Sequence, residues 1–146
     1  MAAHQSILLI DDNPGECELF RLALVQTGLE VTLFTEHDAD AAAHFLEDRA
    51  GRRSLPRLIL LDLHLRTQHG GDLLKRLRAD YRLAAIPVVI FTTSDDANDL
   101  ATAYAQGANG YVVKPGTYDE LLRFTADLCR FWLDWNRTAS SNGVRC

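Results

Sequence analysis

Five short apolar runs recur along the chain, each separated from the next by a segment of helical spacing, and this alternation limits the fold more than any other feature. The runs are Ile7-Leu8-Leu9-Ile10, Val31-Thr32-Leu33-Phe34, Leu58-Ile59-Leu60-Leu61, Val88-Val89-Ile90-Phe91 and Tyr111-Val112-Val113. The first, third and fourth are continuously apolar, as strands covered on both faces are. Strands alternating with helices imply an α/β protein with a parallel sheet and helices on both faces. Right-handed crossovers leave few strand orders, and the flavodoxin-like order 2-1-3-4-5 is expected for five strands and five helices.

The helix signals are specific. Asn13 is a predicted cap, with Pro14 at the first helical position and Glu16 three residues after the cap. Asp38 precedes an alanine-rich stretch with Phe45 and Leu46, and Gly70-Gly71 lead into Leu73, Leu74 and Leu77. Ser94 precedes Asp95 and Asp96, acids suited to a helix start, and Gly107 is the expected stop of that helix. Thr117 with Glu120 forms a capping box before the last helix.

The 146 residues suit one domain, and 47% hydrophobic with 24% charged residues fits a folded globular chain. A net charge of −5 without a dense basic run argues against nucleic acid as partner. The densest basic stretch, with Arg49, Arg52, Arg53 and Arg57, reads as a solvated loop because Gly51, Ser54 and Pro56 interrupt it. Cys17, Cys129 and Cys146 lack paired spacing, as do His4, His37, His44, His64 and His69, so neither a disulfide framework nor a zinc site is expected. No apolar run approaches the ~20 residues that cross a bilayer, and the start lacks a signal-peptide pattern. No membrane partner is expected, and a cytoplasmic protein is. Residues 137–146 read as a polar C-terminal tail with no output segment.

Ligands of such sheets bind at the carboxyl ends of the strands. Strand one ends in Asp11-Asp12, strand three in Asp62, strand four in Thr92-Thr93 and strand five in Lys114. In the order 2-1-3-4-5 these groups converge. Three carboxylates in one cleft repel each other, and oxygen-only ligands favour Mg²⁺ or Mn²⁺ as the remedy. A lysine beside such a metal suits phosphoryl oxygens, and carboxylates do act as phosphoryl acceptors. The residues alone thus point to a metal-assisted phosphoryl acceptor.

Asp11-Asp12, Asp62, Thr92 and Lys114-Pro115, each closing an apolar run, resemble the signature of response-regulator receiver domains, the CheY-like family. The likeness covers roughly Ser6 to Trp135, and residues 1–136 are expected to be the receiver domain. It implies that Asp62 takes a phosphoryl group from a phosphohistidine of a sensor histidine kinase. Asp12, Asp62 and the backbone carbonyl of His64 would hold Mg²⁺, with Asp11 on metal-bound water. Lys114 would contact a phosphoryl oxygen and pair with Asp62 beforehand. The Thr92 hydroxyl would bind another oxygen, assisted by the Thr93 N–H, and Tyr111 would be the aromatic switch that turns inward with Thr92. Pro115 would follow a cis peptide, and Gly70, eight residues after Asp62, would end the acceptor loop. The protein would then be a phosphorelay switch and not a turnover enzyme.

Arg66 departs from the proline usual in the family's acceptor loop. His64 and Ser94 flank the expected path of hydrolytic water and are candidates for setting the phosphate lifetime. The stretch Phe91-Thr92-Thr93-Ser94, the long loop before strand three and Phe131-Trp132-Leu133 look like the phytochrome-associated single-domain regulators, which implies a bacteriophytochrome-type kinase. Leu121, Phe124, Leu128, Trp132 and Trp135 are expected on the sheet. Leu122, Cys129, Phe131 and Leu133 lie off that stripe. They are either scattered exposed residues or an interface for a homodimer or another protein. The expected output is a separate downstream protein target, a phosphotransfer protein or a phosphate sink.

Three rival functions stand beside this one. An aspartyl phosphatase wants an acid two residues after the nucleophile, where His64 stands. A flavin or nucleotide module wants a loop rich in Gly, Ser or Thr after strand one, where acids stand. A receiver-like scaffold would signal without phosphorylation.

Overall fold

The computed structural model describes residues 5–66 and 68–139. His4, Cys146 and the predicted tail beyond residue 139 lie outside the described residues. In chain order the elements are β1 (Gln5–Ile10), α1 (Pro14–Gln26), β2 (Val31–Glu36), α2 (Ala39–Gly51), β3 (Leu58–Leu61), α3 (Gly70–Ala79), β4 (Val88–Thr92), α4 (Ala97–Ala105), β5 (Gly110–Val113) and α5 (Tyr118–Cys129). A π-helical turn, Arg130–Trp135, continues α5. The strands form one parallel sheet in the order β2-β1-β3-β4-β5.

Because side chains alternate across a strand, the apolar runs feed two cores. Leu8, Ile10, Ile59, Leu61, Val88 and Ile90 pack with α2 and α3. Ile7, Leu9, Leu58, Leu60, Val89 and Phe91 pack with α1 and α5 on the other face. The three continuously apolar strands, β1, β3 and β4, are interior, whereas β2 and β5 are the half-buried edges.

Local chemistry sets the helix starts. The Asn13 side chain accepts from the N–H groups of Gly15 and Glu16, Asp38 from Ala41, and Thr117 from Glu120. The α3 cap is His69, whose Nδ1 accepts from the Gly71 N–H at 3.0 Å. The α4 cap is Asp96 and not Ser94: its carboxylate accepts from Asn98 and Asp99, and the helix begins two residues later than expected. Gly107, at φ +109°, closes that helix as expected.

Three other expectations are corrected. Among the described residues no peptide bond is cis, so the Lys114–Pro115 bond is trans. The basic stretch is only partly a loop. Arg49 lies in α2 with its guanidinium 4.3 Å from the Phe34 ring centroid. Arg57 donates to the Leu133 carbonyl at 3.3 Å.

The third correction concerns the end of α5. Cys129 and Leu133 are buried at 1% and 4% exposure, while Trp135, expected on the sheet, is 74% exposed. The buried face of α5 is wide, with Thr125 also inside, which takes in Cys129. The π turn explains the rest. The Asn136 N–H donates to the Phe131 carbonyl, five residues back, at 2.7 Å. The wider turn makes residues lag behind the roughly 100° per residue of an α-helix, carrying Leu133 inward and Trp135 outward.

Candidate functional site

The sheet register assembles the site. Ile10 is level with Leu61, and the Asp62 N–H donates to the Ile10 carbonyl at 3.0 Å, so Asp11 and Asp62 leave neighbouring strands together. The Lys114 N–H donates to the Thr92 carbonyl at 2.7 Å, which brings the end of β5 against the end of β4.

The Lys114 ammonium is the hub. Its Nζ donates to Asp11 Oδ2 at 2.7 Å, to Asp62 Oδ2 at 3.0 Å and to Glu16 Oε1. The side chains of Lys114, Asp11 and Asp62 are only 11%, 2% and 9% exposed. Each buried carboxylate divides its oxygens. Asp11 Oδ1 accepts from the Asn13 N–H at 2.9 Å and Asp62 Oδ1 from the His64 N–H at 3.1 Å, while the second oxygen of each faces Lys114. Burial raises the pKa of Asp11, against the opposing pull of Lys114 and the Asn13 N–H. Burial also works against the Lys114 charge, but hydrogen bonds to Asp11 and Glu16 and the nearby charges of Asp62 and Asp11 outweigh it, and its pKa is raised. Lys114 therefore stays an ammonium, and its charge compensates these buried acids.

One carboxylate oxygen from each of Asp11, Asp12 and Asp62 lies within 4.8 Å of the others. Oxygens about 2.0–2.1 Å from a Mg²⁺ ion stand up to about 4.2 Å apart across an octahedron, so a small contraction would suit a hard divalent cation. The donor set is all oxygen, which fits Mg²⁺ or Mn²⁺ and not zinc.

Around this centre, Thr92 is fully buried and its Oγ1 accepts from the Ser94 N–H at 3.4 Å. Thr93 is exposed. The Ser94 hydroxyl donates to Asp99 Oδ2 at 2.6 Å, and the half-buried Tyr111 donates from its phenol to the Ser94 carbonyl at 2.9 Å. His64 is exposed and stands edge-on to His69, with ring centroids 6.2 Å apart. Gly70 sits so close to the acceptor strand that a Cβ there would lie 2.3 Å from the Asp62 carbonyl oxygen. Only glycine fits.

Asp11, Asp62 and Lys114 are thus joined directly, Asp12 is within reach, and Thr92 adjoins Lys114 through the backbone. Sequence reasoning missed Glu16 as a partner of Lys114. Its place three residues after Asn13 was accounted for by helix capping, yet its carboxylate turns to the ammonium instead. Of the four candidate interface residues, Phe131 is 51% exposed and Leu122 half-buried. Cys129 and Leu133 lie in the core and form no free surface.

A concavity of about 800 Å³ is lined by none of Asp11, Asp12, Asp62, Thr92 and Lys114. It lies between the α2–β3 loop, Tyr81 to Pro87 and the chain after Leu133. Arg53 and Arg82 at its edge follow the C-terminal ends of α2 and α3, where the helix dipole favours cations. The acidic cleft is the chemical site.

Comparison with known proteins agrees with this geometry. The chain is 38% identical over 133 residues to the probable methanogenesis regulatory protein FilR2 of Methanothrix harundinacea, covering 90% of this chain and 86% of that protein. It is 31% identical over 130 residues to the response regulator Rcp1 of Synechocystis sp., covering 88% of each. A crystal structure of the Mn²⁺-bound form of Rcp1 superposes with a TM-score of 0.81 at 28% identity, covering 93% of this chain and 99% of that one. The phosphorylated cyanobacterial phytochrome response regulator RcpA superposes with a TM-score of 0.86 at 30% identity, covering 94% and 100%. Residues 7–125 match the model of the response regulator receiver domain. The order β2-β1-β3-β4-β5 with five helices is the CheY-like form of the flavodoxin-like fold, and the chain belongs to the response regulator receiver domain family.

Proposed function

We propose that this chain is a single-domain phosphorelay switch whose phosphoryl acceptor is Asp62. The observation that carries this reading is the buried triad of Asp62, Lys114 and Asp11, with Asp12 beside it, at the carboxyl ends of β1, β3 and β5. A carboxylate oxygen of Asp62 attacks the phosphorus of a phosphohistidine on a sensor histidine kinase. The P–O bond to Asp62 forms, the P–N bond breaks, and the imidazole leaves, taking up a proton. Asp11, Asp12, Asp62 and the His64 carbonyl would hold Mg²⁺ or Mn²⁺, which when bound would supply positive charge toward the transferring group. Lys114 supplies a second positive charge to a phosphoryl oxygen, and the Thr92 hydroxyl with the Thr93 N–H supplies hydrogen bonds.

The switch follows from the charge and acceptor oxygens that phosphorylation adds. Thr92 drawn to the phosphoryl group pulls on the Ser94 backbone, to which Tyr111 is tied. The surface at α4 and β5 then changes, and a downstream protein target or phosphotransfer protein reads it. His64 and Ser94 set the lifetime of the acyl phosphate by shaping access of water. Similarity to RcpA supports a phytochrome-type kinase as the donor. The exposed Phe131 and Trp135, with Leu122, are the surface through which a second copy would dock.

Intact-protein mass spectrometry after incubation with Mg²⁺ and acetyl phosphate tests the reading. One added phosphate in the wild type and none in Asp62→Asn supports it. No addition to a folded wild-type protein removes it in favour of a scaffold that works without phosphorylation.

A further inference from the structure

An ammonium carries three protons, and in this structure each has its own carboxylate: Asp11, Asp62 and Glu16. Two of those acids have a second task. Asp11 and Asp62, with Asp12, form the group whose oxygens are close enough to share a divalent cation, and Glu16 is not in it. A cation bound there competes with Lys114 for Asp11 and Asp62, and its charge repels the ammonium. Phosphorylation of Asp62 removes one more carboxylate oxygen from the contest. Glu16 is the one partner of Lys114 that neither event claims.

Glu16 is well placed to hold on. It lies in the first turn of α1, fixed by the Asn13 cap and Pro14, and its carboxylate is favoured there by the helix dipole. The capping-box bond back to Asn13, which its position invites, is not among its contacts. The Glu16 side chain is 38% exposed, so it reaches Lys114 from the solvent side, whereas the Asp11 and Asp62 side chains meet Lys114 from within, at 2% and 9%.

We infer that Glu16 is a positioning residue for Lys114, the tether that keeps the ammonium beside Asp62 once divalent cation and phosphoryl group have taken its other partners. The inference rests on the phosphoryl-acceptor reading above. It has a consequence that separates it from simple electrostatics. As a bare negative charge, Glu16 would repel an anionic phosphodonor, and its removal would speed phosphorylation. As a tether, its removal slows phosphorylation, and only while Lys114 is present to be held.

The test measures the rate of phosphorylation by acetyl phosphate across a Mg²⁺ titration for wild type, Glu16→Ala, Glu16→Gln, Lys114→Gln and the double variant Glu16→Ala/Lys114→Gln. Loss of one charge-assisted hydrogen bond corresponds to a rate about tenfold slower at saturating Mg²⁺ in Glu16→Ala. Glu16→Gln, which keeps an acceptor without charge, falls between. The Mg²⁺ concentration for half-maximal rate stays unchanged, and Glu16→Ala adds nothing to Lys114→Gln. A readout that needs no phosphorylation runs beside it: the nitrogen NMR signal of the Lys114 ammonium persists on adding Mg²⁺ to the wild type and broadens away in Glu16→Ala. A faster or unchanged Glu16→Ala rate, additivity with Lys114→Gln, or a shifted Mg²⁺ requirement would overturn the tether, the last by making Glu16 part of the cation site. A wild type that takes no phosphate would instead remove the acceptor reading, and this inference with it.

Discussion

The Tyr111 phenol donates a 2.9 Å hydrogen bond to the backbone carbonyl of Ser94, joining β5 to the loop that leaves β4. That loop also carries the Ser94 N–H bonded to Thr92, so a change at Thr92 and a change at Tyr111 meet in one residue. Tyr111→Phe keeps the ring packed and deletes only this bond. It should lower the unfolding free energy by about 1 kcal/mol, read from urea midpoints, and speed amide exchange in residues 94–96. Exchange unaltered in that loop would show that the phenol does not hold it.

Two glycines should respond to alanine with opposite sign. At Gly70 the added methyl meets the Asp62 carbonyl oxygen at 2.3 Å, a contact of backbone with backbone that no rotamer relieves. Gly70→Ala should cost on the order of 2–3 kcal/mol and displace Asp62. Gly51, at the end of α2, has nothing within 4 Å of such a methyl. Gly51→Ala should be stabilising by about 0.5–1 kcal/mol. Thermal melts of the two variants decide both.

The rotated end of α5 is open to a direct check. Leu133 is buried, and Leu133→Ala should cost about 2–5 kcal/mol. Phe131 is half exposed, and Phe131→Ala should cost under about 1 kcal/mol in the monomeric protein. The reverse ranking would mean that the helix runs on without its wide turn.

Stability should fall with alkali through the two buried thiols. Burial, with the Asp11 charge adding to it, pushes Cys17 from 9.0 up to about 11, and burial, with Asp134 adding to it, does the same for Cys129. Both folded-state values are raised, so the folded protein keeps protons that the unfolded chain releases. Their contribution is whole below pH 9.0 and is lost as pH rises through about 11. Lys114, also raised from 10.5, has the same sign but a later onset. Comparing wild type with Cys17→Ala/Cys129→Ala by denaturant unfolding from pH 8 to pH 11 isolates the thiols, and equal slopes would rule them out.

Divalent cation should bind the folded protein and not the unfolded chain. Mg²⁺ should then raise the melting temperature, by an amount equivalent to about 2.7 kcal/mol at a hundred times its dissociation constant. Chelation should reverse the shift, and Asp12→Asn should weaken it.

The sheet was legible because its interior strands carry unbroken apolar runs, and the acids, Thr92 and Lys114 were legible because each closes such a run. What escaped lay in side-chain choices with two local solutions. Glu16 satisfies a capping pattern and an ammonium equally well on paper, and only the position of Lys114 decides between them. Ser94 and Asp96 are both good caps, and the bond from Ser94 to Asp99 leaves the helix start to Asp96. His69 caps α3 through a ring nitrogen, a role that capping preferences seldom assign. The π turn has no signature in periodicity, because it appears only as a shift in phase over six residues.

That turn also changes how the end of α5 would tolerate a change of length. A helix wound one residue wide resembles a helix into which one residue has been inserted without disturbing the chain beyond it. Deleting a single residue between Arg130 and Trp135 would let the backbone rewind to the ordinary pitch with Asn136 still near Arg57, whose guanidinium lies 3.5 Å from its carbonyl. The same deletion inside α5 would turn every later side chain by about 100° and strip Leu128 and Cys129 from the core. The segment carries slack that the helix before it lacks.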